Sequence, residues 1–206
     1  MTDLRLLLVT DGSGDRTRIE AVAEAARRGG AVGIQVREPR LSGRALLDLA
    51  RALRTPFASG QGLLLVNDRL DVALASGADG VQLGWRSSDP RSARSLLGPG
   101  RLLGVSTHTL EEVRAAEGAD FLIFGPIHET PSKRGLLPPR GIEGLRRAVS
   151  ATSLPVVAIG GIDPPRAREC ARAGASGVAC IGAFFSAADP EAAARDLLAS
   201  FEEGRG

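Results

Sequence analysis

His108 is one of two histidines in the chain and follows an apolar run, Leu102–Val105, through the pair Ser106-Thr107. An imidazole changes charge near neutral pH, so it can take a proton from one atom and return it to another. A second group follows the apolar run Phe121–Phe124, where Thr130, Ser132 and Lys133 place hydroxyl donors and a cation on one loop. His128 of the same loop reads as lining the entrance. The strings AIGGI and ACIGAF carry Gly160, Gly161, Ile181 and Gly182, whose bare backbone amides can converge on a phosphate. Earlier apolar runs end in Gln35, Arg37 and Glu38, and in Asn67, Asp68 and Arg69. Arg37 can hold a carboxylate or phosphate by a two-pronged contact. Alternatively, Arg37-Glu38 and Asn67-Asp68-Arg69 close a ring of ion pairs around the site. Asp68 alone is a weak magnesium site, because Mg²⁺ usually takes one or two carboxylates beside substrate phosphates. The chemistry these residues suggest is proton transfer on a phosphorylated small molecule.

The elements that position them recur along the chain. Eight apolar runs have strand length: Leu6–Val9, Gly33–Val36, Leu63–Val66, Gly80–Leu83, Leu102–Val105, Phe121–Phe124, Val156–Ile159 and Gly177–Ile181. They are nearly all apolar rather than alternating, which suits parallel strands buried on both faces. Amphipathic stretches separate them, several with clear starts: Ser42, Asp163 before two prolines, and Thr109 before Glu111 and Glu112. Gly77-Ala78-Asp79, Gly118-Ala119-Asp120 and Gly174-Ala175-Ser176 each end a helical stretch and restart a strand. Eight strand–helix units in one domain, 1–206, predict an α/β fold of the (β/α)₈ TIM-barrel kind. The alternative is an open doubly wound sheet. In either fold the residues named above lie just past strand ends, where ligands bind.

The bulk properties exclude other classes. Net charge is +2, basic residues are interspersed with acidic ones, and aromatic content is 3%, so a nucleic-acid surface is not expected. No apolar stretch reaches the ~18 residues of a membrane span. The first strand run follows Met1 closely without a leader, and Cys170 and Cys180 lack metal-binding spacing. A cytoplasmic protein with reduced thiols is the expectation, and a homodimer is left open.

Taken together, VTD near the start, Q-x-R-E, NDRLDVALASGADGVQLG, GVSTHTLEE, FGPIHETPSKRG, and AIGGI with GVACIGAF resemble the superfamily of thiamine phosphate synthase and the thiazole tautomerase TenI. For the synthase branch, the resemblance implies Mg²⁺-dependent coupling of a pyrimidine diphosphate to a thiazole phosphate, with Asp68 at the metal. Two positions depart from that branch. Pro39 stands where Q-x-R-x-K has its lysine, and Ser87 stands where LGQ-x-D has a metal-binding aspartate, with Asp89 two residues later. The segment HTLEE…FGPIHETPSKRG looks more like TenI, in which the histidine matching His108 is the acid/base. The main expectation is therefore a tautomerase, free of metal and cofactor, that shifts a proton on a carboxythiazole ethyl phosphate. Gln35, Arg37, Asn67, Ser106, Thr130, Ser132 and Lys133 would bind this substrate, and Gly160, Gly161, Ile181 and Gly182 its phosphate. The alternatives are the synthase and a non-catalytic ligand-binding or regulatory barrel.

Overall fold

Parallel strands buried on both faces need neighbours on both edges, and this chain supplies them by closing the sheet on itself. The computed structural model describes residues 2–58, 62–84, 87–130 and 137–206. Its strands are β1 (Leu6–Val9), β2 (Gly33–Val36), β3 (Leu63–Asn67), β4 (Gly80–Leu83), β5 (Leu102–Thr107), β6 (Phe121–Phe124), β7 (Val156–Ile159) and β8 (Gly177–Cys180). They pair in chain order, all parallel, and β8 returns to β1 through Leu7 opposite Ala179. Helices α1 (Arg16–Arg28), α2 (Gly43–Leu53), α3 (Leu70–Ser76), α4 (Pro90–Leu97), α5 (Leu110–Ala115), α6 (Gly141–Ser150) and α7 (Pro164–Arg172) alternate with the strands. A short α8 (Gly182–Phe185) precedes the terminal α9 (Pro190–Arg205). The expected TIM-barrel architecture is the one observed, and the open sheet is excluded.

Alternation sorts each strand between two cores. Leu7, Val9, Leu65, Phe121, Ile123, Val157 and Ala179 fill the barrel interior. Leu6, Leu8, Ile34, Leu64, Val66 and Val81 turn outward against the helices. Among the described residues, the buried polar side chains are Thr10, Gln35, Glu38, Gln82 and Thr107. All of them lie at or just past the carboxyl half of a strand, so the polarity of the fold is confined to one end.

Two strands run further than the apolar pattern suggests. Asn67 pairs with Gln82, and Ser106 and Thr107 pair with Ile123 and Phe124. The ladder continues through these polar residues because its hydrogen bonds are main-chain, so they lie on strands rather than in loops. At the opposite end, the Gly-Ala-Asp repeat does more than turn the chain. Asp79 donates its N–H to the Leu64 carbonyl, and its Oδ2 accepts from Leu64 N at 2.7 Å and Arg54 Nη1 at 2.8 Å. Asp120 repeats this with Leu103 N at 2.7 Å and Arg94 Nη2 at 2.5 Å. Each carboxylate thus hooks a strand start to the turn that begins the next strand. Leu64 is fully buried, so Asp79→Ala strands a buried N–H and is expected to cost about 1–3 kcal/mol. Urea unfolding checks this, as a lower midpoint with an unchanged slope.

Candidate active site

The site begins with an arc of polar groups across β2, β3 and β4. Gln35 Nε2 donates to Asn67 Oδ1 at 2.8 Å, and Asn67 Nδ2 donates to Asp68 Oδ2 at 2.7 Å. Asp68 Oδ1 accepts from Gly84 N at 3.0 Å and from the Ser87 hydroxyl. Among the described residues, Asp68 is the one non-glycine with positive φ, at 61°. That conformation costs energy for a side-chain-bearing residue and is held where surrounding contacts over-determine it. Here its N–H is tied to the Gln82 carbonyl at 3.0 Å while its carboxylate meets three donors. The result is an exposed, fixed carboxylate at the barrel mouth.

This donor set fits a magnesium ion of one particular kind. Asp68 offers hard oxygen with spare lone pairs, and the Ser87 hydroxyl is a second oxygen beside it. Among the described residues, no group of three or more His, Cys, Asp or Glu gathers to enclose an ion. The fit is therefore to a cation held by one carboxylate, water and a ligand's phosphate oxygens. Asp89 takes no part, because its carboxylate caps α4 by accepting from Ser92 N at 3.0 Å.

On β5, the Ser106 hydroxyl accepts from Gln82 Nε2 at 3.0 Å. His108 Nδ1 lies 2.5 Å from the Gly125 carbonyl. A carbonyl only accepts, so Nδ1 carries the proton and Nε2 of the neutral ring is the free acceptor. The main chain here is fixed by a capping box between Thr109 and Glu112, whose Oε2 also takes the His108 N–H.

The ring of ion pairs does not form. Glu38 is 3% exposed and its two oxygens accept from Gly12 N and Gly14 N, at 3.0 and 2.8 Å. Arg69 pairs with Asp71, and Arg37 stands exposed with its N–H on Thr10 Oγ1. Glu38 thus stitches the loop after β1 to the end of β2. From that loop Asp11 pairs with Arg18, which also donates to the Phe185 carbonyl and lies over the Phe185 ring.

The glycines at the ends of β7 and β8 have different causes. Gly160 and Gly161 have φ of 108° and 64°, and a Cβ on either would strike Pro126, or His128 and the Glu129 carbonyl. Packing against the loop after β6 explains both, and Arg166 fixes the turn by donating to the Gly161 carbonyl at 2.7 Å. Gly182 is the exception. A Cβ there would meet nothing within 4 Å, so its lack of a side chain keeps space open beside Ile181 at the mouth. Thr130 is placed on the β6 loop, whereas Ser132 and Lys133 lie outside the described residues. Cys170 and Cys180 are buried, and burial pushes the Cys170 thiol up to about 12, so neither is a nucleophile.

The family model described as thiamine monophosphate synthase matches residues 6–184. The chain belongs to that family. Within the thiamine monophosphate synthase family, it is 46% identical over 201 residues to a putative thiamine-phosphate synthase of Geobacter sulfurreducens, covering 96% of this chain and 94% of that protein. It is 44% identical over 206 residues to the thiamine-phosphate synthase of Moorella thermoacetica, covering 99% and 98%. The solved thiamine phosphate pyrophosphorylase from Pyrococcus furiosus superposes with a TM-score of 0.89 at 35% identity, over 100% of this chain and 98% of that one. An enzyme fold of thiamine biosynthesis is thereby established. These relatives favour the synthase alternative over the tautomerase expected from the HTLEE and HETPSKRG segments. Among the described residues, no helix is long and apolar enough to cross a membrane.

Gln82 and Arg18 belong to the framework of the mouth but were given no role from residue type, and Glu38, read as an ion-pair partner, holds loop amides instead. Gln82 could have been found from parity, since it faces inward on β4 as Gln35 does on β2. His128 is a structural neighbour of the glycine turn. Burial, and then the Arg166 charge, hold its pKa below the ordinary value against the opposing pull of Glu169 and Asp163. A histidine whose folded pKa is depressed takes up protons more readily when unfolded, so folding weakens as pH falls below about 6.5. NMR titration is expected to place the His128 midpoint below that of free histidine. His128→Phe is expected to flatten the loss of stability below that pH.

Proposed function

We propose that this chain is a thiamine phosphate synthase, joining a pyrimidine diphosphate to a thiazole phosphate and releasing pyrophosphate. The observation that carries the reading is Asp68, a carboxylate fixed at the mouth by three donors on a left-handed backbone. A proton shift on a thiazole has no use for such a group, whereas a departing diphosphate has one. As the bond from the pyrimidine to its diphosphate breaks and the bond to the thiazole forms, negative charge gathers on the leaving oxygens. Arg37, exposed beside the end of β2, can meet those oxygens with paired N–H donors. Asp68 would hold Mg²⁺ against the same oxygens, and the ion when bound offsets their charge.

Gln35 and Ser106 stand further in and offer hydrogen bonds to the edge of a polar ring. The open space at Gly182, with the Gly160-Gly161 turn beside it, suits the phosphate of the second substrate. Thr130, Ser132 and Lys133 would bind that phosphate, as the resemblance implies. Bringing both substrates onto one rigid rim supplies proximity, which this two-substrate reaction needs most. Pro39 and Ser87 remove one cation and one carboxylate from the pattern the resemblance implies, so Arg37 and Asp68 carry correspondingly more of the charge.

A second reading, the thiazole tautomerase, rests on His108, whose Nδ1 contact leaves Nε2 free to accept a proton. The two separate in one experiment. With both phosphorylated substrates and Mg²⁺, the purified protein is expected to form thiamine phosphate. Asp68→Ala is expected to lower kcat by roughly 10²–10³, as loss of a charge-stabilising group does, and His108→Asn to leave it within about threefold. No thiamine phosphate, together with His108-dependent conversion of the thiazole tautomer, would replace the first reading by the second.

A further inference from the structure

On β4 the barrel interior holds an amide among apolar neighbours. Gln82 is fully buried on β4. A Cβ at Gly104 would come within 2.1 Å of its Oε1 and 2.4 Å of the Phe121 ring, so the amide fills space that a side chain at 104 would otherwise take. Its Oε1 has no partner among the described residues. Its Nε2 donates to the Ser106 hydroxyl at 3.0 Å and lies 3.4 Å from the Leu83 carbonyl. A carbonyl can only accept, so the nitrogen must be the atom facing these two groups.

A direction follows for Ser106. A hydroxyl has one proton to give, and here its oxygen already accepts from a donor beneath it. Its own proton cannot return to Gln82 and is left for whatever stands at the mouth. Gln35 repeats the device on β2. It is 4% exposed and donates to Asn67 Oδ1, which leaves the Asn67 amide to donate onward. An unpaired buried acceptor is costly to keep, and Gln82 is kept with one while its donor side is used.

We propose that Gln82 is a positioning residue: by donating to the Ser106 hydroxyl from inside the barrel, it aims that hydroxyl's proton at a hydrogen-bond acceptor on the pyrimidine ring. The identity of the ring rests on the synthase reading, and the buried bond does not. A ligand with a ring nitrogen or carbonyl at that edge is selected, and one with an N–H there meets two protons facing each other.

The test is a double-mutant cycle with Gln82→Met and Ser106→Ala, assayed for thiamine phosphate formation. Gln82→Met keeps length and removes both polar atoms. It is expected to lower kcat/KM for the pyrimidine diphosphate about tenfold, with KM for the thiazole phosphate unchanged. In the Ser106→Ala background the same change is expected to cost less than about twofold, because the residue it acts through is gone. Gln82→His restores a ring N–H donor and should recover most of the loss. Removing an unpaired acceptor should leave the melting temperature of Gln82→Met equal or higher. Additive losses in the cycle, or a lowered melting temperature that accounts for the lost rate, would make Gln82 merely structural and overturn the proposal.

One readout needs no turnover. In the ¹⁵N–¹H spectrum of the free protein, the Gln82 side-chain amide protons should exchange slowly and shift on Ser106→Ala. An unmoved signal overturns the buried bond. Wild-type protein that forms no thiamine phosphate overturns the synthase reading, and with it the pyrimidine as the occupant, even where the amide signal moves.

Discussion

Closing a parallel sheet on itself leaves no edge strand, so every strand peptide finds its partner on a neighbouring strand. That constraint governs where polarity can go. Side chains fill the interior, helices cover the exterior, and polar groups are tolerated only where a strand delivers them to one end. Thr10, Gln35, Glu38, Gln82 and Thr107 are buried polar residues, and each sits at or just past that end. Chemistry at the carboxyl side of the barrel is therefore less a choice of this chain than a result of having no other buried surface that can carry hydrogen-bonding side chains.

Within that limit the mouth is built in two tiers. The lower tier consists of buried amides whose donors point upward, Gln35 toward Asn67 and Gln82 toward Ser106. The upper tier consists of the groups so oriented, together with Asp68 and its three donors. Asn67 and Ser106 lie within hydrogen-bonded strands, whereas Asp68 follows β3 directly and is held in part by Gly84 and Ser87 just past β4. Loops are tied to strands by charge. Glu38 holds the loop after β1 through two main-chain amides, and Arg18 carries that restraint on to the end of α8. The side of the mouth formed by β2 to β5 is thus organised by side chains, and the side formed by β7 and β8 by glycine turns and packing.

The barrel was legible in the sequence because uninterrupted apolar runs separated by amphipathic stretches have few other solutions. Strand ends were less so. Asn67 and Ser106 interrupt the hydrophobic pattern and read as loop, yet a main-chain ladder is indifferent to that interruption. The Gly-Ala-Asp repeat read as turn chemistry, and the role of its aspartates was hidden because the partners Arg54, just past α2, and Arg94, on α4, stand 25 and 26 residues earlier in the chain. Gln82 was given no role for the opposite reason: an amide in an apolar strand carries little signal until its register against Gly104 and Ser106 is known. Glu38 read as an ion-pair partner, but two loop amides claimed its carboxylate. The branch of the family was the least legible feature, since a tautomerase and a synthase that handle the same phosphate require many of the same residues.

The two aspartate hooks at the closed end bear on how such a barrel can be rebuilt. Asp79 with Leu64 and Arg54, and Asp120 with Leu103 and Arg94, are the same joint made twice. A cassette cut from one joint to the next therefore ends in like fittings, and it carries a strand pair whose opposite tips reach the mouth. Exchange of such cassettes between related chains would renew the chemistry of the rim while leaving the seam beneath it unchanged. The floor of this barrel is in that sense a natural splice line, and its acidic residues are the fasteners.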